Sequence, residues 1–294
     1  MRGKISVDVA ATSHPGMIRS NNEDMAYANG VFFNNVDKLQ FNIDEIQSGR
    51  LLIYSVCDGM GGENAGEMAS YEAVMLLNEF HKKLNGIKIK NIFQLMEYLK
   101  EYIRNTNNRI YRLWADSKEG RMGATFAGLA FYCKNAVALN LGDSRVYMLR
   151  EGKLTKLTRD HTEAERLASM KIIRSDEIDT HKGSHVLTRH FGTTPEEGDM
   201  EADFSNIIRV KKWDTFLLCS DGLTDMVKEQ RIRQLLEQKN KAVEIIKSLL
   251  EEALRNGGKD NVTAVVVRVK SLMVLPVFGG GFEWIKSHRY KNIH

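Results

Sequence analysis

Cysteine and proline are scarce in this sequence, and each occurs three times in 294 residues. Three cysteines cannot build a disulfide framework, and all three lie in apolar, strand-like runs, so we interpret them as buried thiols of a reducing compartment. No apolar run approaches the ~20 residues of a membrane helix, and the first residues lack the continuous apolar core of a signal peptide. The sequence therefore predicts a cytoplasmic protein without a membrane segment.

Neither sign of charge dominates the chain, since 42 basic side chains are matched by 38 acidic ones. No dense Lys/Arg tract is present, which argues against binding to nucleic acid or to an anionic membrane. A hydrophobic content of 43% is ordinary for a globular protein and is enough for a large core at this length. We expect a monomer with the size and composition of an enzyme domain.

Apolar runs bounded by turn residues predict a series of β-strands. The predicted strands are 5–11, 51–57, 125–132, 136–141, 145–150, 153–157, 214–220 and 262–270. Apolar residues at helical spacing predict amphipathic helices over 67–84, 91–116 and 241–255. Because consecutive strands are spaced as hairpins, we expect mainly antiparallel sheets packed face to face with helices outside, an α/β (α+β) fold.

Three segments depart from this pattern. Residues 34–50 are polar and are interpreted as a loop or hairpin excursion between the first strands. Residues 163–184 are charged, with weak helical character at 165–170, and are interpreted as a mobile flap. From residue 271 onward we expect a C-terminal tail in which three consecutive glycines form a flexible joint, so the folded domain is predicted to span residues 1–270.

Acidic residues follow three of the apolar runs. Asp58 and a glycine-rich turn come directly after the run 51–57, Asp221-Gly222 comes after 216–220, and Asp260 stands just before 262–269. Glycines leave room for backbone carbonyls and an ion to approach closely. Each acidic residue alone could be a turn residue. Together they indicate one cluster of oxygen ligands for a hard cation, Mn²⁺ or Mg²⁺.

Further acidic residues could join this cluster, namely Glu23, Asp24 and Asp143. Converging carboxylates repel one another unless cations neutralise them. Two ions ~4 Å apart can lower the pKa of a shared water toward neutrality, which suits attack on phosphorus. Arg19 is the candidate for gripping phosphate oxygens. Asp143 could instead shape a hairpin or pair with Arg145.

Taken in order, a set of short motifs resembles the metal-dependent PPM family, the type 2C Ser/Thr protein phosphatases, and in particular its bacterial branch. Any one motif is weak, but the ordered set is highly specific. It spans roughly residues 5–270 and comprises residues 16–24, 58–62 with 65–67, 122–125, 141–147, 157–161, 187–189, 219–225 and 258–263.

The resemblance implies a four-layer α-β-β-α sandwich and two metal ions, with a third possible. It implies that Asp58 bridges the two ions, that the Gly59 carbonyl binds one of them, and that Asp221 and Asp260 hold the other. Glu23 would anchor a water and Asp24 would support it, while Arg19 would bind the substrate phosphate. With the third-site residue included, the implied metal ligands are Asp58, Gly59, Asp143, Asp221 and Asp260.

The sequence departs from the family at Met60, where eukaryotic members often carry a histidine that is a proposed general acid. Bacterial relatives commonly have Met at this position, so the proton donor to the leaving group is left unassigned. His161 is a second candidate donor, although a hydrogen-bonded structural role is the better interpretation of Asp160-His161-Thr162.

The expected function is metal-dependent hydrolysis of phosphoserine and phosphothreonine in proteins by a metal-activated water. The partners would be phosphorylated proteins, including a Ser/Thr kinase and its targets. Two alternatives stay open. A pseudophosphatase would bind phosphoproteins without turnover, although no core ligand is missing here. A small-molecule phosphatase could use the same scaffold, since nothing in the sequence defines a peptide groove.

Overall fold

The computed structural model describes residues 2–32, 41–61, 65–116, 120–197, 200–238 and 240–275. Its strands are β1 (Arg2–His14), β2 (Asp24–Ala28), β3 (Val31–Phe32), β4 (Phe41–Gly49), β5 (Leu51–Gly61), β6 (Met122–Ala124), β7 (Phe126–Tyr132), β8 (Asn135–Leu141), β9 (Arg145–Arg150), β10 (Lys153–Lys156), β11 (Asp203–Phe204), β12 (Ile208–Arg209), β13 (Thr215–Cys219) and β14 (Val262–Leu275). Its α-helices are α1 (Ala65–Asn85), α2 (Ile92–Ala115), α3 (Glu163–Ser169), α4 (Asp221–Thr224), α5 (Glu229–Leu236) and α6 (Ala242–Arg255).

The strands form two sheets. The first contains six strands in the order β10-β9-β13-β14-β1-β4. The second contains eight, in the order β11-β8-β7-β5-β2-β3, with β12 paired to β8 and β6 paired to β5. Every strand pair within the described residues is antiparallel, as the hairpin spacing predicts.

Three hydrophobic layers hold the sheets and helices together. One layer lies between the sheets, where β1, β13 and β14 face β2, β5 and β7 through side chains such as Val9, Phe131 and Phe216. A second layer packs α1 and α2 against the eight-stranded sheet. A third packs α5 and α6 against the six-stranded sheet. The architecture is therefore the expected α-β-β-α sandwich of two antiparallel sheets flanked by helices.

The three predicted helices and the eight predicted strands form where their sequence patterns place them, within a few residues at each end. The turn after β9 shows why the local sequence is sufficient to predict the β9–β10 hairpin. Glu151 and Gly152 both have positive φ, +52° and +77°, which is the geometry of the tightest two-residue hairpins. Cys133, which we expected in a buried strand, instead lies in the β7–β8 turn with φ +57° and is partly exposed.

Two of the irregular segments differ from expectation. Residues 41–49 form strand β4, which pairs along β1, rather than a loop, while 33–40 lie outside the described residues. Strand β14 continues to Leu275, so the first residues of the expected tail belong to the sheet, and 276–294 lie outside the described residues. A bulge between Ser6 and Val7 in the β1–β14 pairing marks this extension.

The segment expected to act as a flap contains α3 and a 3₁₀ helix at Ser175–Thr180. Thr162 caps α3, since its side chain accepts a hydrogen bond from the Glu165 N–H at 3.3 Å. Among the described residues, no helix is both long and apolar enough to cross a bilayer.

Candidate metal centre

Asp58 is fixed near the end of β5 by contacts with two neighbouring strands. It stands opposite Asp24, the first residue of β2, in the antiparallel register. Its backbone N–H donates to Thr125 Oγ1 at 2.9 Å, and its carbonyl accepts from the Thr125 N–H at 2.8 Å. The backbone that carries the Asp58 side chain is therefore held on both sides.

Gly59 occupies a position that no other residue could take. A Cβ atom here would lie 2.1 Å from the Gly66 carbonyl oxygen and 2.6 Å from that of Glu23. The Gly59 N–H also donates to the Glu23 carbonyl at 3.1 Å. The first turn of α1 and the start of β2 thus press directly against the backbone that follows Asp58.

Asp221 and Asp260 come from the other sheet. Asp221 opens the short helix α4 just after β13, and Asp260 stands two residues before β14. The two segments touch, since a Cβ on Gly222 would lie 2.0 Å from the Asn261 carbonyl oxygen and 3.5 Å from Asp260 Cβ. The acidic residues that end two neighbouring antiparallel strands are thereby brought side by side.

Asn261 joins this sheet to the loop that carries Arg19 and Glu23. Its side-chain amide donates to the carbonyl oxygens of Pro15 at 3.1 Å and Asn21 at 2.8 Å. Its Oδ1 accepts from the Glu23 N–H at 2.8 Å. One asparagine therefore holds the β1–β2 loop against the start of β14.

The carboxyl groups of Asp24, Asp58 and Asp143 have raised pKa values. Burial is the largest cause for each, followed for Asp58 by the negative charges of Asp24, Asp221, Asp143 and Asp260. Burial raises the pKa of Asp24 to about 7, against hydrogen bonds from Ser220 and Thr263 that lower it, and Asp221 and Asp260 raise it further. Burial and the charge of Asp221 raise the pKa of Asp143 to about 8. The predicted acids therefore converge closely enough to repel one another.

Asp24 lies beneath the cluster and is only partly satisfied. Its Oδ2 accepts a hydrogen bond from Ser220 Oγ at 2.7 Å. Its Oδ1 is buried and has no hydrogen-bond partner in the described part of the chain. An unsatisfied buried carboxylate oxygen is costly, and it is expected where a solvent molecule or ion completes the site.

A cleft of about 260 Å³ opens above the cluster and is lined by Asp58, Asp143 and Asp221 together with Met60, Thr125, His185, Leu187 and His190. Within the described residues, the tightest grouping suited to a metal is Asp143, His185 and Asp221, whose ligand atoms lie within 4.8 Å of one another. The sequence did not point to His185, because it sits in no metal-ligand spacing.

Arg19 and Glu23 flank the cluster on the loop between β1 and β2. Arg19 Nη2 pairs with Asp260 Oδ2 at 2.8 Å, and both side chains are about half exposed. Glu23 Oε1 accepts from Asn21 Nδ2 at 3.1 Å, and burial raises the pKa of the Glu23 carboxyl. Asp260 does not line the cleft itself, but its pairing with Arg19 places a guanidinium beside the acids.

Hydrogen bonds show which residues Arg145 and His161 contact. Arg145 donates through Nε and Nη2 to Asp160 Oδ2, at 2.9 and 2.6 Å, so its ion pair is with Asp160 rather than Asp143. His161 is buried, with Nδ1 accepting from the Gly142 N–H at 3.2 Å and Nε2 3.0 Å from Asp203 Oδ2. His161 is structural, and it orients the turn that carries Asp143.

Comparisons with known proteins give one family. The family described as protein phosphatase 2C matches residues 38–262. The serine/threonine phosphatase stp of Listeria welshimeri is 33% identical over 254 residues, which cover 86% of this chain and 92% of that protein. The crystal structure of the Mycobacterium tuberculosis serine/threonine phosphatase PstP/Ppp superposes with a TM-score of 0.74 at 30% identity, covering 91% of this chain and 100% of that one.

A second PstP structure, the catalytic domain in complex with two manganese ions, gives a TM-score of 0.72 at 30% identity, covering 91% of this chain and 100% of that one. Sequence and structure thus agree over most of the chain, including the strands that carry the acidic cluster. The protein belongs to the protein phosphatase 2C family of metal-dependent serine/threonine phosphatases.

Proposed function

We propose that this protein hydrolyses phosphoserine and phosphothreonine in other proteins, and that it uses two divalent cations, Mn²⁺ or Mg²⁺. The observation that carries the proposal is the convergence of acidic side chains from both sheets at one cleft, with a guanidinium beside them. The relatives that are named Ser/Thr phosphatases, one of them crystallised with two manganese ions, support the same assignment.

The donor set fits a hard cation. All the ligands proposed for the first two ions are oxygens, the kind that Mn²⁺ and Mg²⁺ prefer. The raised pKa values of Asp58 and Asp143 and the unpartnered Oδ1 of Asp24 are what a cluster lacking positive charge should show. In our assignment Asp58 and the Gly59 carbonyl would hold one ion, and Asp221 and Asp260 together with Asp58 would hold a second.

Asp143 is assigned to a third, weaker site. The ligand atoms of Asp143, Asp221 and His185 lie within 4.8 Å of one another, which is close enough for one ion to contact all three. Asp24 is assigned a supporting role below the cluster, because it is buried and bonded to Ser220. Glu23 is assigned to hold a water at the edge of the cluster.

The two cations, when bound, supply charge neutralisation and activation of a water for attack on phosphorus. The chain's own residues position the substrate. Arg19 can present a planar fork to two phosphate oxygens, since its side chain is half exposed and pairs with Asp260 at the edge of the cluster. The rigid strand ends keep the acidic groups in place, so that most of the rate enhancement comes from positioning and electrostatics.

The decisive experiment measures phosphate release from a phosphothreonine peptide with Mn²⁺ and with EDTA. We expect activity in Mn²⁺, none in EDTA, and none in the double variant Asp58→Asn plus Asp221→Asn. Asp116→Asn, a change of the same type at an exposed residue outside the proposed flap, should keep full activity. Turnover that survives complete metal removal, or persists in the double variant, would refute the proposal.

The same assay separates the two alternatives. A pseudophosphatase would bind the phosphopeptide without releasing phosphate in Mn²⁺. A small-molecule phosphatase would hydrolyse sugar or nucleotide phosphates faster than phosphopeptides. We expect the phosphopeptide to be the better substrate.

We further propose that residues 1–270, with the last residues of β14 up to Leu275, form the catalytic domain. We also propose that 163–184 gate the cleft, and that the protein acts as a cytoplasmic monomer opposing a Ser/Thr kinase. His185 supports the gating role, because it follows this segment directly and lines the cleft with Asp221. The free thiols of Cys57 and Cys219 are buried and suit a reducing compartment. Light scattering on the purified protein tests the monomer, and a phosphoproteome of a deletion strain tests the substrates.

A further inference from the structure

A second cavity lies at the opposite end of the same strands and helix. It has a volume of about 540 Å³ and is lined from β5 by Leu51 and Leu52, from β2 by Tyr27, and from α1 by Asn78 and His81. Leu51 is seven residues before Asp58 along β5, which is about 20 Å in an extended strand. The cavity is therefore distinct from the acidic cleft and shares no lining residue with it.

The charges around this cavity are all of one sign. Lys4, Arg50, Lys82 and Lys88 line it, and no acidic side chain does so among the described residues. These four cations are exposed, and none makes an ion pair within the part of the chain that the structure describes. Four unpaired cations around one concavity create a positive potential that attracts an anion.

Arg50 is held in position rather than free in solvent. Its Nη2 donates to the Tyr132 hydroxyl at 3.0 Å, and its guanidinium carbon lies 5.7 Å from the centre of that ring. Tyr132 is in turn fixed by donating to the Ile89 carbonyl oxygen. A guanidinium ordered in advance loses less conformational entropy when it binds a phosphate.

The buried wall of the cavity contains an imidazole nitrogen without a protein partner. The His81 side chain is 4% exposed, and its Nε2 has no hydrogen-bond partner among the described residues. Its Nδ1 lies 2.7 Å from the Tyr27 hydroxyl, so the ring is held in place from its other side. The arrangement leaves one unsatisfied polar atom in the wall.

The C-terminal end of α1 is the main feature that opposes binding of an anion in this cavity. Lys82 lies in its last turn, and the cavity also meets the helix C-terminus at Asn85. A helix C-terminus carries about half a negative charge and is stabilised by nearby lysines. Half a charge does not cancel four whole positive charges, and the Lys83 and Leu84 carbonyls already accept from the N–H groups of Gly86 and Ile87.

We propose that this cavity binds a phosphorylated small molecule of about the size of a nucleoside diphosphate. The phosphates would lie among Lys4, Arg50, Lys82 and Lys88, and the rest of the molecule would lie against the apolar wall of Leu51 and the half-exposed Ile87. The volume is within the range of small-molecule sites. Since β5, β2 and α1 each run from this cavity to the acidic cleft, the bound molecule is placed to influence catalysis.

Calorimetric titration of the full chain in EDTA tests the proposal, because chelation removes metal-assisted binding at the acidic cleft. The probes are ADP, pyrophosphate and adenosine. We expect ADP to bind best, pyrophosphate more weakly and adenosine not at all, with affinity falling as salt is raised. Lys82→Glu should weaken ADP binding about tenfold, since it replaces an attraction by a repulsion.

Lys83→Glu is the matched control, since it makes the same charge change one residue along α1 at an exposed side chain that does not line the cavity. It should leave ADP binding within about twofold. An equal loss in both variants would show only general charge attraction and overturn the site. Loss of binding in Arg19→Ala would place the ligand in the acidic cleft instead and would also overturn it.

A second measurement reads the site directly. The ¹⁵N resonance of His81 Nε2 should shift on addition of ADP, and the shift should saturate with the calorimetric affinity. Absence of ADP and pyrophosphate binding in the wild-type chain would refute the proposal. Equal affinity for ADP and pyrophosphate would overturn the proposal that the rest of the molecule lies against the apolar wall.

Discussion

Replacing Asp143 by asparagine should stabilise the metal-free protein. The Asp143 side chain is 8% exposed, and burial together with the charge of Asp221 raises its pKa to about 8. In the unfolded chain an aspartate titrates near 3.9. The folded state therefore binds a proton that the unfolded state does not, and this difference removes stability as pH rises from about 4 to about 8.

The magnitude follows from the two pKa values. At pH 7 the difference between about 8 and 3.9 corresponds to a ceiling of roughly 4 kcal/mol of lost stability. Asparagine has nearly the same shape and no charge, but its amide must still be desolvated. We expect a net gain of roughly 1–3 kcal/mol, which is an increase in melting temperature of about 3–10 °C for a domain of this size.

Thermal unfolding at pH 7 should be measured in EDTA and again with Mn²⁺. The gain from Asp143→Asn should shrink or reverse in Mn²⁺, because cations that bind only the folded state stabilise the wild-type cluster more than the variant. Asp179→Asn, at an exposed position in the 3₁₀ helix, should change neither melting temperature. A variant no more stable than wild type in EDTA would refute the reasoning that the acidic cluster is held against repulsion.

Three further predictions follow from the geometry. Arg19→Ala should lower kcat/KM on a phosphopeptide by roughly 10–100-fold, with partial recovery in Arg19→Lys, because an ammonium keeps the charge but lacks the planar fork. Steady-state kinetics measure this, and full activity in the alanine variant would exclude phosphate binding by Arg19. Gly59→Ala should abolish Mn²⁺ stabilisation and unfold at lower urea than Gly86→Ala, whose added methyl meets nothing closer than 3.4 Å, and equal unfolding midpoints would contradict the clash argument. Burial lowers the pKa of His81 to about 4, so stability should fall by up to about 3 kcal/mol as pH drops from 6.5 to 4, and His81→Gln should flatten this slope in urea titrations.

The elements that could be predicted are those whose pattern is local. The helix α6 shows apolar residues at helical spacing and ends at Asn256 and Gly257, so its bounds follow from the sequence. Strand β4 shows the opposite case. Ile46 is 66% exposed and Gln47 is 8% exposed, so the alternation of polarity is inverted. Gln47 is buried because it donates to the Ala28 carbonyl and accepts from the Tyr54 hydroxyl, and only the folded chain supplies those partners.

The candidate acidic residues could be named from the sequence, but their arrangement could not. Asp58, Asp221 and Asp260 were visible as acids at the ends of apolar runs, and the ordered motifs indicated the family. His185 was not found, because it stands in an irregular segment without a ligand spacing and reaches Asp221 only through the fold. The pairing of Arg19 with Asp260, 241 residues apart, could not be inferred from the loop sequence either.

The amino-acid sequence by itself determined the three long amphipathic helices, the eight patterned strands, the antiparallel sandwich and the candidate acidic residues, because propensity, periodicity and turn chemistry act over a few neighbouring residues. Only the tertiary structure decided which charges share a cleft, which oxygen of Asp24 is left without a partner, and where four lysine and arginine side chains surround a second cavity. Electrostatic and hydrogen-bond energies depend on separations of a few ångströms between residues far apart in the chain, and packing of the two sheets sets those separations.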